Sequence, residues 1–194
     1  MPNGNAPQGL IPRRQRDGET ANGSLNRYYV DPAYATAVFI GDPVILSGSA
    51  DAQGVPGVVV ATQGATNRIT GVVVGFDPTP GIVALGYRAA STAGYVLVDD
   101  NPMTEFEIQE DSVGGALAVA SVGLNCDLIS AAGNAFIRRS GWMLDSSTAG
   151  TGATLQVRIV GAMQRADNEI GDYCKWLVRI NQPTETGAAG STGV

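Results

Sequence analysis

Thr104-Glu105-Phe106-Glu107-Ile108-Gln109-Glu110 alternates polar and apolar side chains over seven residues. A period of two marks a strand with one face on a core. Phe106 and Ile108 are expected inward. Glu105, Glu107 and Gln109 are expected outward, either solvated or paired with arginine.

Similar runs lie on both sides of this strand. Upstream, Ala37–Ile40 and Val44–Leu46 flank Gly41-Asp42-Pro43, which is turn chemistry: proline fixes φ and aspartate can bond the backbone. Val55–Ala61 and Ile69–Phe76 are rich in valine and bounded by glycine and asparagine, as strands are. Asp77–Gly81 reads as a loop, and Tyr87–Ala90 and Tyr95–Val98 as strands. Downstream, Leu124–Ile129, Ala135–Arg138, Gly141–Leu144, Leu155–Met163 and Trp176–Ile180 read as short strands. Ala116–Val122 fits a short helix or a strand, and Ala166–Asp172 has room for one helical turn. About ten short strands with regular turn signals make an all-β chain, a compact antiparallel β-barrel or β-sandwich. No repeat of fixed period is visible.

The composition agrees. The 194 residues carry 26 glycines and only 15% charged side chains, which argues against long surface helices. With a net charge of −6 and a single lysine, Lys175, direct nucleic-acid binding is not expected. No run of 18 apolar residues exists to span a membrane. Met1-Pro-Asn-Gly-Asn5 has neither the charged nor the apolar part of a secretory signal, so a cytoplasmic life, or release by lysis, is expected. Cys126 and Cys174 fit no metal spacing and read as two buried free thiols, with a disulfide the lesser alternative. Trp142 and Trp176 are expected in the core ahead of a subunit interface or a stacking platform.

Residues 1–30 show no sustained periodicity and read as an extended N-terminal arm on a body of 31–182, with a small, polar, flexible tail at 183–194. The arm is net positive on an acidic protein: Arg13, Arg14, Arg16 and Arg27 oppose Asp17 and Glu19. Pro7 and Pro12 keep it extended, and Tyr28 and Tyr29 are expected to dock it. Arginines suit bidentate pairing with carboxylates, so the favoured target is an acidic protein surface, ahead of solvent or nucleic acid.

Chemistry is sparse. The chain has no histidine, which removes the commonest general base and metal ligand. No phosphate-binding or dinucleotide motif is present, and no cofactor is expected. Asp99, Asp100, Glu105, Glu107, Glu110 and Asp111 cluster without an interleaved cation. The favoured reading is a solvated or arginine-paired surface. A Ca²⁺ site at Asp99-Asp100-Asn101 and a glycosidase-like carboxylate pair rank below it.

Tyr87 to Glu110, with Val122–Leu128, Gly133, Ser140–Asp145, Arg158–Ala162 and Trp176–Asn181, resembles small structural proteins of tailed bacteriophages. The likeness spans about residues 35–182 and points to the capsid decoration, or cement, proteins. It implies a non-enzymatic protein on the outer capsid surface, made in the host cytoplasm, that bridges capsomers. Its partner would be the major capsid protein, and it would be a homo-oligomer, a trimer ahead of a dimer. A tail, neck or fibre-associated domain is the first alternative, and a carbohydrate-binding module the second.

Overall fold

The computed structural model describes residues 3–20 and 23–184. The tail read at 183–194 lies, beyond Thr184, outside the described residues. Eleven strands are found among the described residues: β1 Ile11–Gln15, β2 Asn26–Val30, β3 Pro43–Ala50, β4 Pro56–Val60, β5 Gly71–Phe76, β6 Gly94–Asp99, β7 Thr104–Gln109, β8 Asn125–Ile129, β9 Met143–Gly150, β10 Val157–Ala162 and β11 Lys175–Ile180. They form a closed barrel, in the order β2-β4-β3-β5-β6, and a six-stranded sheet, β1-β7-β11-β10-β8-β9. The chain is therefore all-β. Between these strands every pairing is antiparallel except β2 with β4, which are parallel. No helix among the described residues is long and apolar enough to cross a membrane.

The two layers share a wall. Tyr28, Val30, Val44, Val58, Val73, Val96 and Val98 fill the barrel. Ile69 and Val72, from the same stretch of chain as Val73, pack instead with Phe106, Ile108, Trp142 and Trp176 under the sheet. Successive side chains of a strand point to opposite faces. The unbroken valine run of β5 is thus apolar because both of its faces are covered.

Buried polar side chains fix the joint. Gln156 is fully buried. Its Nε2 donates to the Thr62 and Asn67 carbonyls (2.9 and 3.2 Å), and its Oε1 accepts from the Gly64 and Leu128 amides (3.0 and 3.2 Å). One side chain thereby ties the β4–β5 loop of the barrel to β8 of the sheet. Arg88, also fully buried, donates to the carbonyls of Asp31, Tyr34, Thr36 and Thr92 (2.6–3.0 Å) and gathers the loops that close the barrel. Cys126 and Cys174 are buried free thiols, pushed up by burial to about 12 and about 11.

Several local expectations are corrected. Ala135–Arg138 is a turn and not a strand. Asn134 Oδ1 accepts from the Phe136 and Ile137 amides, which gives this backbone an alternative to a ladder. Tyr87–Ala90 makes a single bridge, Arg88 to Val38, since Arg88 turns inward to its carbonyls. Ala166–Asp172 holds turns and no helix. Asn168 there occupies the Met163 and Lys175 carbonyls and the Lys175 amide. Ala116–Val122 resolves to a single 3-10 turn at Val119–Ser121. The loop read at Asp77–Gly81 instead leads into α1, Pro80–Leu85, capped by Thr79 and ended by left-handed Gly86.

Replacing Gln156 by leucine removes the partner of four backbone groups at once, the Leu128 amide among them fully buried. Each lost partner costs on the order of 1–3 kcal/mol. The urea midpoint of Gln156→Leu should fall by several times the effect of a surface Gln→Leu control. An equal shift in both would show that the joint does not depend on this side chain.

Asp42 gives a pH prediction. Its carboxylate accepts from the Phe39 amide at 2.8 Å. Burial raises it to about 6, against lowering hydrogen bonds from Ser140 and Phe39. An acid raised on folding stabilises the fold most while protonated. The contribution is complete below its unfolded value near 4 and is lost as pH rises through about 6, up to about 3 kcal/mol in all. Urea midpoints at pH 4.5 and 6.5 should show wild type losing ground to Asp42→Asn over that interval. A constant difference between the two proteins would refute the assignment.

Candidate interaction surface

The described part of the first thirty residues holds two strands, β1 and β2, and is bound to the body. β1 pairs with β7, with Ile11 opposite Glu107 and Arg14 opposite Glu105. Arg13 reaches Glu107 Oε2 at 2.7 Å, Arg165 reaches its other oxygen at 3.1 Å, and Arg14 Nε reaches Glu105 at 2.7 Å. Leu10 is buried in the core. Gln109 holds Ala6 and Asn5, and Asn3 donates to the Glu169 and Asp172 carbonyls. β2, at the end of the expected arm, is a barrel strand.

The crossing of arm and barrel needs two glycines. Gly9 (φ 70°) and Gly41 (φ 96°) lie back to back, and a Cβ on either would strike the other segment's carbonyl. Their positive φ angles are in the region that glycine adopts without strain.

The alternation read in β7 is present, but its outward face is not solvated. The side chains of Glu105 and Glu107 are each 5% exposed, beneath arginines that are partly open to water. Ion pairs of such half-exposed arginines are screened and contribute little net stability. Removing Arg14 would still strip the buried Glu105 of its ion-pair partner among the described residues, which is costly. The acidic surface that suits Arg13 and Arg14 is thus present in the same chain.

The other candidates scatter. Arg16 is exposed at the end of β1, where it and Arg158 add to the burial that holds Arg179 below the ordinary arginine value. Arg27 binds Asp77 at 2.5 Å and lies 3.5 Å over the Tyr95 ring. Tyr29 packs against that ring at 5.5 Å. Tyr28 fills the barrel, and its hydroxyl donates to Asp100 at 2.7 Å. Asp100 also accepts from Asn26. Asp99 accepts from the Asn101 amide and the Thr104 hydroxyl, and burial raises its pKa.

The described residues contain no group of three or more potential ligands placed to hold a metal. The Asp99-Asp100-Asn101 reading therefore finds no support in this geometry. The cavity touching Glu107 has about 70 Å³, too small for a sugar ring. Trp142 and Trp176 are both in the core.

No family model, characterised protein or solved structure matches the chain.

Two apolar surfaces escaped the sequence reading. On the loop after β7, Val113 and Val119 are 63% and 69% exposed, and Val122 is 42% exposed. This loop is anchored from below. Glu110 accepts from the Leu117 amide at 2.9 Å and from Trp176 Nε1 at 3.3 Å. Asp111 Oδ1 accepts from the Val113 and Ser146 amides and the Ser146 hydroxyl. Burial raises Glu110, with those hydrogen bonds pulling the other way. The second surface is the Asn134–Arg139 turn, where Phe136 is 93% exposed. The Arg138 side chain lies against Gly86, so the turn adjoins α1 and its exposed Val83 and Leu85. A Phe-Ile pair inside an apolar-looking run resembles a buried strand, and only Asn134 in front of it signals a turn.

Leu10→Ala should loosen the arm by about 2–5 kcal/mol, the usual range for such a truncation in a core. Hydrogen exchange should then speed up for the β1 amides while Val96 and Val98 in the barrel stay protected. Uniform acceleration across both would mean that the arm does not open separately.

Proposed function

We propose that the chain is a structural virion protein of a tailed phage. It binds the major capsid protein on the outside of the head and bridges capsomers, as a homo-oligomer with a trimer favoured over a dimer. The observation that carries this reading is the anchored loop after β7. Exposed valines stand there on backbone held by two buried carboxylates. Exposed apolar side chains on a fixed backbone suit a docking face, because little ordering entropy is lost when a partner covers them. The phage-like pattern from Tyr87 to Glu110 runs directly into this loop. Arg13 and Arg14 are not assigned to the capsid, since their carboxylate partners lie within the chain.

The test uses phage heads assembled without this protein. Purified chain should co-sediment with expanded heads, and Val113→Asp/Val119→Asp should cut occupancy at least about tenfold, the effect of losing one docking anchor. The melting temperature should hold, because both side chains are exposed. Absence of binding to heads, or cryo-electron-microscopy density at the tail or neck, would overturn the reading.

A further inference from the structure

The Asn134–Arg139 turn and the Ala166–Asp172 loop are opposites in charge and alike in build. The turn carries Arg138 and Arg139 and no acid beside its apolar pair, Phe136 and Ile137. Neither arginine has an acidic partner among the described residues. The loop carries Asp167, Glu169 and Asp172 and no cation, around an Ile170 that is 45% exposed. Asp167 does pair with Arg165 and Lys175, and its side chain is still 68% exposed.

Both segments are preorganised. Asn134 and the Asn134–Arg139 backbone pair hold the turn. Asn168 and Asn3 hold the loop through its own and neighbouring carbonyls. The arm shows where they stand. Asn3 binds the loop, and Gly9 packs against Ser140, next to Arg139. Six residues of extended chain reach at most about 20 Å. No ion pair among the described residues joins the two segments within one chain.

We infer that the Asn134–Arg139 turn of one copy docks on the Ala166–Asp172 loop of a second copy of this chain, with Phe136 against Ile170 and the arginines on Asp167 and Asp172. An aromatic anchor ringed by arginine–carboxylate pairs is the composition of a protein interface centre and its rim. The two surfaces differ, so a single such contact is head to tail. Copies can close head to tail in a ring, or exchange both contacts across a two-fold. The inference rests on the homo-oligomer part of the proposed function and not on the capsid part.

Light scattering on the purified full chain over a concentration series tests it. Wild type should run at a multiple of the monomer mass and dissociate as salt rises. Phe136→Asp and Arg138→Glu should each weaken association at least about tenfold, with unchanged melting temperature because the turn is exposed. Arg138→Glu combined with Asp172→Arg should restore association. A monomeric wild type, association that survives both single substitutions, or a charge-exchanged chain that stays monomeric would each overturn the inference. Heads are absent from this experiment, so its failure would leave the capsid reading standing.

Discussion

Gln156 stands where the barrel loop between β4 and β5 meets the six-stranded sheet, and its buried amide satisfies four backbone groups. The geometry of both layers follows from that constraint. A buried amide is tolerable only when its donors and acceptors are matched. The loop, β8 and β10 must therefore meet at one register. With that register fixed, Val72 faces the sheet core and Val73 the barrel, and β5 serves as a wall for both. Arg88 does the same work at the barrel mouth, using backbone carbonyls as its counter-groups.

Much of this architecture was legible in the sequence. The alternation of Thr104–Glu110 located β7, and the valine runs located the barrel strands. Pattern alone could not reveal what covers the polar face of β7. A glutamate that alternates with phenylalanine looks solvated whether or not an arginine from some 90 residues upstream lies over it. The charge of the arm was equally plain, yet charge names a chemistry and not an address. It pointed to carboxylates, and the nearest suitable ones belong to the same chain. Thr79-Pro80 before α1 was a readable start signal, a capping residue followed by a proline at the first turn. Arg88 was unreadable, because nothing local marks an arginine that turns inward to bind carbonyls.

The candidate surfaces were the least legible part. Phe136 and the valines after β7 are apolar residues that the fold leaves outside, and hydropathy sends such residues to the core by default. Only the turn chemistry of Asn134 and the anchoring carboxylates of Glu110 and Asp111 distinguish them, and those effects depend on the tertiary arrangement. The absence of histidine and of nucleotide motifs narrows the chemistry that the chain can perform. It does not choose a partner.

The two buried thiols have a consequence of another kind. Cys126 and Cys174 lie in the core and are held as neutral SH, well above ordinary thiol values. The thiolate is the species that alkylating reagents and oxidants attack, so both sulfurs are silent while the body stays closed. Each becomes reactive when the strands around it part. The molecule therefore carries two internal clocks on the six-stranded sheet, one on β8 and one at the start of β11. Their labelling rates would count how often each strand opens, without any probe having been added.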